Sequence, residues 1–105
     1  MELMARETID YRLAGHSLQD IVNYNEVLVL QVMREVLSQD LTLCQCCFCV
    51  EDVYALSLNA LPSRYLQPSS VRTYQASGDF ISAETVREKV KEAVAWVAKK
   101  PNHDP

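Results

Sequence analysis

An unbroken apolar periodicity from Asp20 to about Ser38 is the strongest constraint on the fold of this chain. Apolar side chains recur there at spacings of three or four, which places them on one face of an α-helix. A strand over Glu26–Val32 is the alternative, but the pattern continues well beyond the usual length of a strand. The helical stripes consist of Ile21, Tyr24, Leu28, Val32 and Val36, and of Val22, Val29 and Met33.

Apolar residues cover most of the circumference of this helix, because Val27, Leu30 and Leu37 lie outside both stripes. A helix of this kind must be buried on several sides. In a chain of only 105 residues, the simplest way to bury it is to pack it against a second copy. The sequence therefore predicts a homodimer.

A second, shorter helix is predicted over Val50–Leu61. It places Glu51 and Asp52 in the first turn, where carboxylates suit the positive end of the helix dipole. Pro62 ends it, because the residue before a proline is disfavoured in the α region.

A third helix is predicted between the N-cap Ser82 and Pro101, with Glu84 in its first turn and Lys99 in its last. Its apolar stripe consists of Val86, Val90, Ala93, Val94 and Val97.

The remaining segments lack helical periodicity. Residues 63–81 are predicted to form an irregular connector with one short extended piece at Val71–Gln75. Residues 1–19 are predicted to be a weakly helical arm that closes at Gly15, and residues 101–105 a frayed tail. The expected fold is thus a mainly α, three- to four-helix single domain over residues 20–100, homodimeric, with an irregular connector before the C-terminal helix.

The charge balance restricts the partners. Fourteen acidic and ten basic side chains give a net charge of −4, which argues against binding to duplex nucleic acid. No apolar stretch approaches the roughly 20 residues that span a bilayer. The first seven residues, MELMARE, carry charges where a signal peptide needs an apolar core, so we expect a cytoplasmic protein without a membrane partner.

Four cysteines lie within six residues, in the run Cys44-Gln45-Cys46-Cys47-Phe48-Cys49. Cys46 and Cys49 form a C-x2-C pair, the spacing from which zinc sites commonly take two thiolates. Because adjacent residues rarely direct both side chains at one ion, the spacing suits Cys44, Cys46 and Cys49 better than all four. Candidates for the fourth ligand are Cys47, His16 and a group on a partner subunit. Free or redox-active thiols are the alternative to a metal.

No residue pattern indicates catalysis. The two histidines, His16 and His103, are far apart in sequence, and no nucleophile elbow, phosphate-binding loop or zinc-protease motif is present. We therefore expect a non-catalytic protein.

The connector contains two arginine–tyrosine pairs, Arg64 with Tyr65 and Arg72 with Tyr74. Arginine pairs bidentately with phosphate, and both side chains stack on purines. Taken alone, such residues in a connector are more often solvated arginines and tyrosines that cover the core.

Two stretches, NYNEVLVLQVMREVL and CQCCFCVEDVYALSLNALPSRY, resemble the late competence protein ComFB family. That family pairs an N-x-x-E-x-L-V helix with a D-V-x-A-L-(S/A)-L-N-x-L-P-P-x-Y motif, and the resemblance covers roughly residues 20 to 100. Ser63 departs from it, since the family often has a second proline there.

The resemblance implies a mainly helical homodimer, with zinc held by thiolates in the cysteine-bearing branch. Cys44, Cys46 and Cys49 occupy the matching positions, whereas Cys47 is an addition. Some members of the family are receptors for cyclic di-GMP or cyclic di-AMP. The resemblance therefore favours a ligand-binding role for the arginines and tyrosines of the connector over a purely structural one.

The residues that such a ligand would use are inferred from chemistry, since no family binding motif can be transferred. The arginines and tyrosines would contact phosphates and purines, and Asp52 or Asn59 would contact a base edge. The complete candidate set is Arg64, Tyr65, Arg72, Tyr74, Asn59 and Asp52. A zinc-stabilised interaction module without a nucleotide, linked to competence, and a thiol redox protein are the alternatives.

Overall fold

The structure is a computed structural model that describes residues 8–40, 43–78 and 81–101. Its four helices are α1 (Asn25–Gln39), α2 (Cys47–Asn59), α3 (Val71–Ser77) and α4 (Ala83–Lys99). Four two-residue strands accompany them: β1 (Arg12–Leu13), β2 (His16–Ser17), β3 (Val22–Asn23) and β4 (Tyr65–Leu66). A 3-10 turn, Pro68–Ser70, precedes α3. The predicted mainly α single domain is confirmed.

The core lies where α1, α2 and α4 pack against one another. Helix α4 contacts both of the other long helices, so its apolar stripe forms the centre of the core. All five residues of the stripe predicted for this helix are buried, which confirms that prediction. The buried apolar side chains are Val29, Val32, Met33, Val36, Leu43, Cys49, Val53, Leu61, Val86, Val90, Ala93, Val94 and Val97.

The ends of α4 follow the sequence-based prediction. The Ser82 hydroxyl accepts a hydrogen bond from the backbone N–H of Thr85 at 3.1 Å, which satisfies one of the free amides of the first turn. Lys99 lies in the last turn, and Pro101 follows the helix. Arg87 joins α4 to α1 through an ion pair with Glu35, whose Nη2–Oε2 distance is 3.1 Å.

The beginning of α1 was predicted wrongly. The helix begins at Asn25 rather than near Asp20, because Val22 and Asn23 form a strand. This strand, β3, pairs antiparallel with β4, so that Val22 lies opposite Leu66 and Asn23 opposite Tyr65. A partner more than forty residues away therefore determines where the helix can begin.

The beginning of α2 was also misplaced. The helix starts at Cys47 instead of Val50 and thus includes two of the four cysteines. Glu51 and Asp52 consequently lie beyond the first turn, where their carboxylates do not meet its free amides. The helix ends at Asn59, two residues earlier than predicted, and a turn then leads to Pro62.

Two further predictions are wrong. Val71–Gln75 is helical rather than extended, since it belongs to α3. Residues 12–17 of the predicted arm form a β-hairpin instead of a weak helix: β1 pairs antiparallel with β2 through a turn at Ala14 and Gly15. Both turn residues have positive φ, 51° and 79°, as a two-residue hairpin turn requires. Residues 1–7 and the predicted frayed tail after Pro101 lie outside the described residues.

Candidate metal centre and ligand-binding surface

Three cysteine thiols converge at the beginning of α2. The Sγ atoms of Cys44, Cys46 and Cys49 all lie within 4.8 Å of one another. Sulfurs around a tetrahedral zinc ion, with Zn–S distances near 2.3 Å, are separated by about 3.8 Å, so small side-chain adjustments suffice to bind one ion. The three thiols are exposed, half-buried and buried in that order. This donor set suits a soft divalent cation such as zinc.

Local structure explains why these three side chains meet. Cys46 is the N-cap of α2 and has extended backbone angles, φ −72° and ψ 165°. Its side chain therefore lies over the first turn, whose backbone N–H groups have no partner within the helix. A hydrogen bond also links this segment to α1, because the Nε2 of Gln45 donates to the carbonyl of Leu37 near the end of that helix at 2.9 Å.

The thiols differ in acidity. The pKa of Cys46 is lowered to about 7, chiefly because the backbone N–H of Cys49 donates a hydrogen bond to its sulfur. Burial opposes this effect, whereas hydrogen bonds from Cys44, Cys49 and the backbone of Phe48 reinforce it. The pKa of Cys49 is raised to about 12, first by burial and then because its thiol donates to the neighbouring sulfurs. The Cys46 sulfur is thus arranged to carry negative charge, as a metal ligand must.

Cys47 does not belong to this group. It is the first residue of α2, its side chain is exposed, and its thiol is not among the three that converge. Of the other candidates for a fourth ligand, His16 lies exposed in β2 and is also outside the group.

The arginines and tyrosines of the connector lie on β4, next to it and on α3, apart from the cysteine cluster. Arg64 immediately precedes β4 and is half-buried, and its Nε atom is buried without a hydrogen-bond partner in the described part of the chain. Tyr65 belongs to β4 and is 64% exposed, which leaves its ring available for stacking. Tyr74 lies on α3 with its ring 5.5 Å from that of Tyr24, in an edge-to-face arrangement. Arg72 is exposed on the same short helix.

Asp52 and Asn59 are placed differently. Both belong to α2, where a separation of seven residues puts them on the same side of the helix and about 10 Å apart along its axis. Asn59 is its last residue and precedes the Pro62–Arg64 segment by only a few positions. Through Tyr24, the structure links the Arg64–Tyr65 segment to the ring of Tyr74. Within the described residues, no hydrogen bond joins Asp52 to this group.

The sequence-based interpretation overlooked the residues that assemble this surface. The Oδ1 atom of Asn23 accepts hydrogen bonds from the backbone N–H groups of Asn25 (3.2 Å) and Arg64 (3.0 Å). Asn25 is completely buried, and its Nδ2 donates to the carbonyl of Pro62 at 2.6 Å. One sequence signal could have indicated them: Asn25 lies four residues before Val29, on the same apolar face of α1. A polar side chain on a buried face normally has a specific hydrogen-bond partner.

The family model of the late competence development protein ComFB matches residues 22–101. The chain belongs to the ComFB family. The match includes α1, all four cysteines and α4, and it begins after the β1–β2 hairpin.

A solved structure supports the same assignment. The late competence protein ComFB from Bacillus subtilis is 25% identical to this ComFB-family chain, with a TM-score of 0.62. The alignment covers 78% of this chain and 94% of the other. No curated protein matches the sequence significantly. Within the described residues, no helix is long and apolar enough to cross a membrane.

Proposed function

We propose that this ComFB-family protein is a non-catalytic cytoplasmic signalling protein that binds a cyclic dinucleotide, either cyclic di-GMP or cyclic di-AMP. The observation that carries the proposal is the buried Nε of Arg64, which has no hydrogen-bond partner among the described residues, beside the exposed ring of Tyr65. A buried donor without a partner is costly, so the Arg64 side chain would gain by reorienting its guanidinium towards a phosphate oxygen. The exposed tyrosine ring supplies a stacking surface for a purine.

Calorimetry with cyclic di-GMP and cyclic di-AMP tests this proposal. We expect a micromolar Kd for at least one of them. Tyr65→Ala should bind that nucleotide roughly tenfold more weakly, because a stacked base contributes about 1–3 kcal/mol. Arg64→Lys keeps the charge but loses the planar fork, so it should also weaken binding. Arg12→Lys, on the exposed β1 strand, is the matched control and should bind like the unaltered protein. Absence of micromolar binding to both nucleotides would refute the proposal.

The proposed role of the metal is architectural. Zinc on Cys44, Cys46 and Cys49 would fix the loop between α1 and α2 to the first turn of α2, which is where these thiols converge. Elemental analysis should then find about one zinc per chain for a local site, or one per two chains for a site shared between subunits. Cys44→Ser should lose zinc, whereas Cys47→Ser, an equally exposed thiol outside the group, should retain it. Equal zinc contents in the two variants would contradict the assignment.

The proposed assembly is a homodimer through the outer face of α1. Val27 and Leu30 lie one turn apart on this helix and are 44% and 39% exposed, so they can pack against a second copy. Sedimentation equilibrium should give a mass of twice 11.9 kDa. A mass of 11.9 kDa at micromolar concentration would contradict a dimer.

A second candidate function is a zinc-stabilised interaction module, linked to competence, that binds an unidentified protein and no nucleotide. The exposed aromatic rings of Phe48 (55%) and Trp96 (53%) favour it, since large exposed aromatics are enriched in binding surfaces. Normal zinc content together with no nucleotide binding would favour this function over the first.

A further inference from the structure

Tyr24 connects the two segments that carry the proposed ligand-binding residues. Its backbone N–H donates a 2.7 Å hydrogen bond to the carbonyl of Arg64, just before β4. Its hydroxyl accepts a 2.9 Å hydrogen bond from Nε2 of Gln75, on α3. Its ring meets that of Tyr74 edge to face, with 5.5 Å between the centroids and 76° between the planes. One residue thus contacts the Arg64 segment through its backbone and α3 through its side chain.

Helix α3 is short and lies at the surface of the described structure. It comprises only seven residues, none of which is buried. A helix this short is not stable by itself, and most helical stability in proteins comes from burying an apolar face. Pro68 lies in the turn before it, and Gly78 ends it in the left-handed region with φ 72°. The short length of α3 and the lack of a buried residue in it therefore make it a locally weak element, of the kind that opens at low free-energy cost.

The buried Nε of Arg64 gives this weak element a role. Because the carbonyl of Arg64 is bonded to Tyr24, an anionic oxygen that binds the Arg64 guanidinium also restrains the neighbourhood of Tyr24. The side chain of Tyr24 in turn holds Tyr74 and Gln75.

We infer that α3 is the closing element of the ligand site and that Tyr24 is the positioning residue that couples α3 to Arg64. This inference rests on the proposed function, with the phosphodiester of a cyclic dinucleotide as the anion. The free protein samples forms in which α3 is detached, and the ligand shifts this population towards the closed form. Tyr24 acts through Tyr74 and Gln75 rather than by contacting the ligand.

Hydrogen exchange of the free protein tests the first half of the inference. Tyr24→Phe removes the hydroxyl that accepts from Gln75 while keeping the ring. Amides of residues 71–78 should then exchange about two- to tenfold faster, the range for loss of one hydrogen bond. The control Tyr54→Phe removes a partly buried hydroxyl that donates to Glu26, and it should leave the exchange rates of these amides unchanged. Unchanged exchange in Tyr24→Phe, or an equal increase in Tyr54→Phe, would overturn the inference.

The second half is tested with cyclic di-GMP and cyclic di-AMP on the full-length protein. For a nucleotide that calorimetry shows to bind, saturation should slow exchange of residues 71–78 at least threefold and leave the β1–β2 hairpin unchanged. The affinity of Tyr24→Phe for this nucleotide should fall, because a smaller fraction of the free variant is in the closed form that binds the ligand. Binding without slower exchange in α3 would overturn the inference and leave the proposed function standing. Absence of binding by both nucleotides would overturn the two together.

Discussion

Replacing Asn25 by aspartate exchanges a buried hydrogen-bond donor for a carboxylate of the same shape. The side chain is completely buried, and its Nδ2 lies 2.6 Å from the carbonyl oxygen of Pro62. In Asn25→Asp, an ionised carboxylate would face that carbonyl, so two acceptors would oppose each other. The protonated acid can still donate to Pro62. We therefore expect burial to raise the pKa of the new carboxyl strongly.

The magnitude follows from the size of this shift. Fully buried carboxyls rise by about 3–5 pKa units from 3.9, and each unit corresponds to 1.36 kcal/mol. With a folded pKa above 7, the loss of unfolding free energy is about 4–5 kcal/mol at pH 7.5 and about 1 kcal/mol at pH 4.5. The sign is that of a group with a raised folded pKa: the protein keeps this stability below the unfolded pKa and loses it as the pH rises through the folded pKa.

Urea denaturation at both pH values measures the difference from the unaltered protein, so that changes shared by all variants cancel. Asn25→Ala should lose about 1–3 kcal/mol at either pH, because it leaves the Pro62 carbonyl without its donor. Gln31→Glu, an amide-to-carboxylate change at an exposed position of the same helix, should stay within about 0.5 kcal/mol. A loss in Asn25→Asp that is the same at both pH values would refute the reasoning.

Two further predictions concern other contacts. Ser82→Ala should lower the unfolding free energy by about 1 kcal/mol, because it removes the acceptor for the Thr85 amide, and a urea midpoint equal to that of the unaltered protein would contradict this. The pKa of Tyr54 is raised by burial, then by the charge of Glu26 and its hydrogen bond to that carboxylate. Its contribution to stability should be fully present below pH 10 and be lost as the pH rises through the folded pKa. The unfolding free energy of Tyr54→Phe should fall less steeply in that range, and parallel pH profiles would contradict the assignment.

Local sequence signals were sufficient where a single element determines its own structure. The stripe and N-cap of α4 were predicted because both the apolar period and the capping hydroxyl belong to one continuous helix. The grouping of Cys44, Cys46 and Cys49 was predictable for the same reason, since a C-x2-C turn brings its sulfurs together locally. Helix α3 was missed because seven residues contain too few turns for a period to be recognised.

Long-range pairing accounts for the other errors. The strand at Val22–Asn23 interrupts an apolar period that local reasoning extends through it, and only β4 explains why. Tyr24 looked like a member of the α1 stripe, yet it contacts Tyr74 and Gln75 instead of the core of three helices. Its role depends on residues about fifty positions later, and a single sequence does not indicate which of them it will meet.

The β3–β4 pair also determines the order in which the two proposed sites can form during folding. Asn23 and Arg64 are separated by 41 positions, and joining them closes a loop around α1 and α2 at an entropic cost of about 3 kcal/mol. The three cysteines of the cluster lie within six neighbouring residues, so bringing their sulfurs together closes no long loop. A growing chain on the ribosome would therefore acquire its thiol cluster first. The surface around Arg64 would follow only after Leu66 has emerged and α1 and α2 have docked, so the proposed ligand site would form later than the proposed metal site.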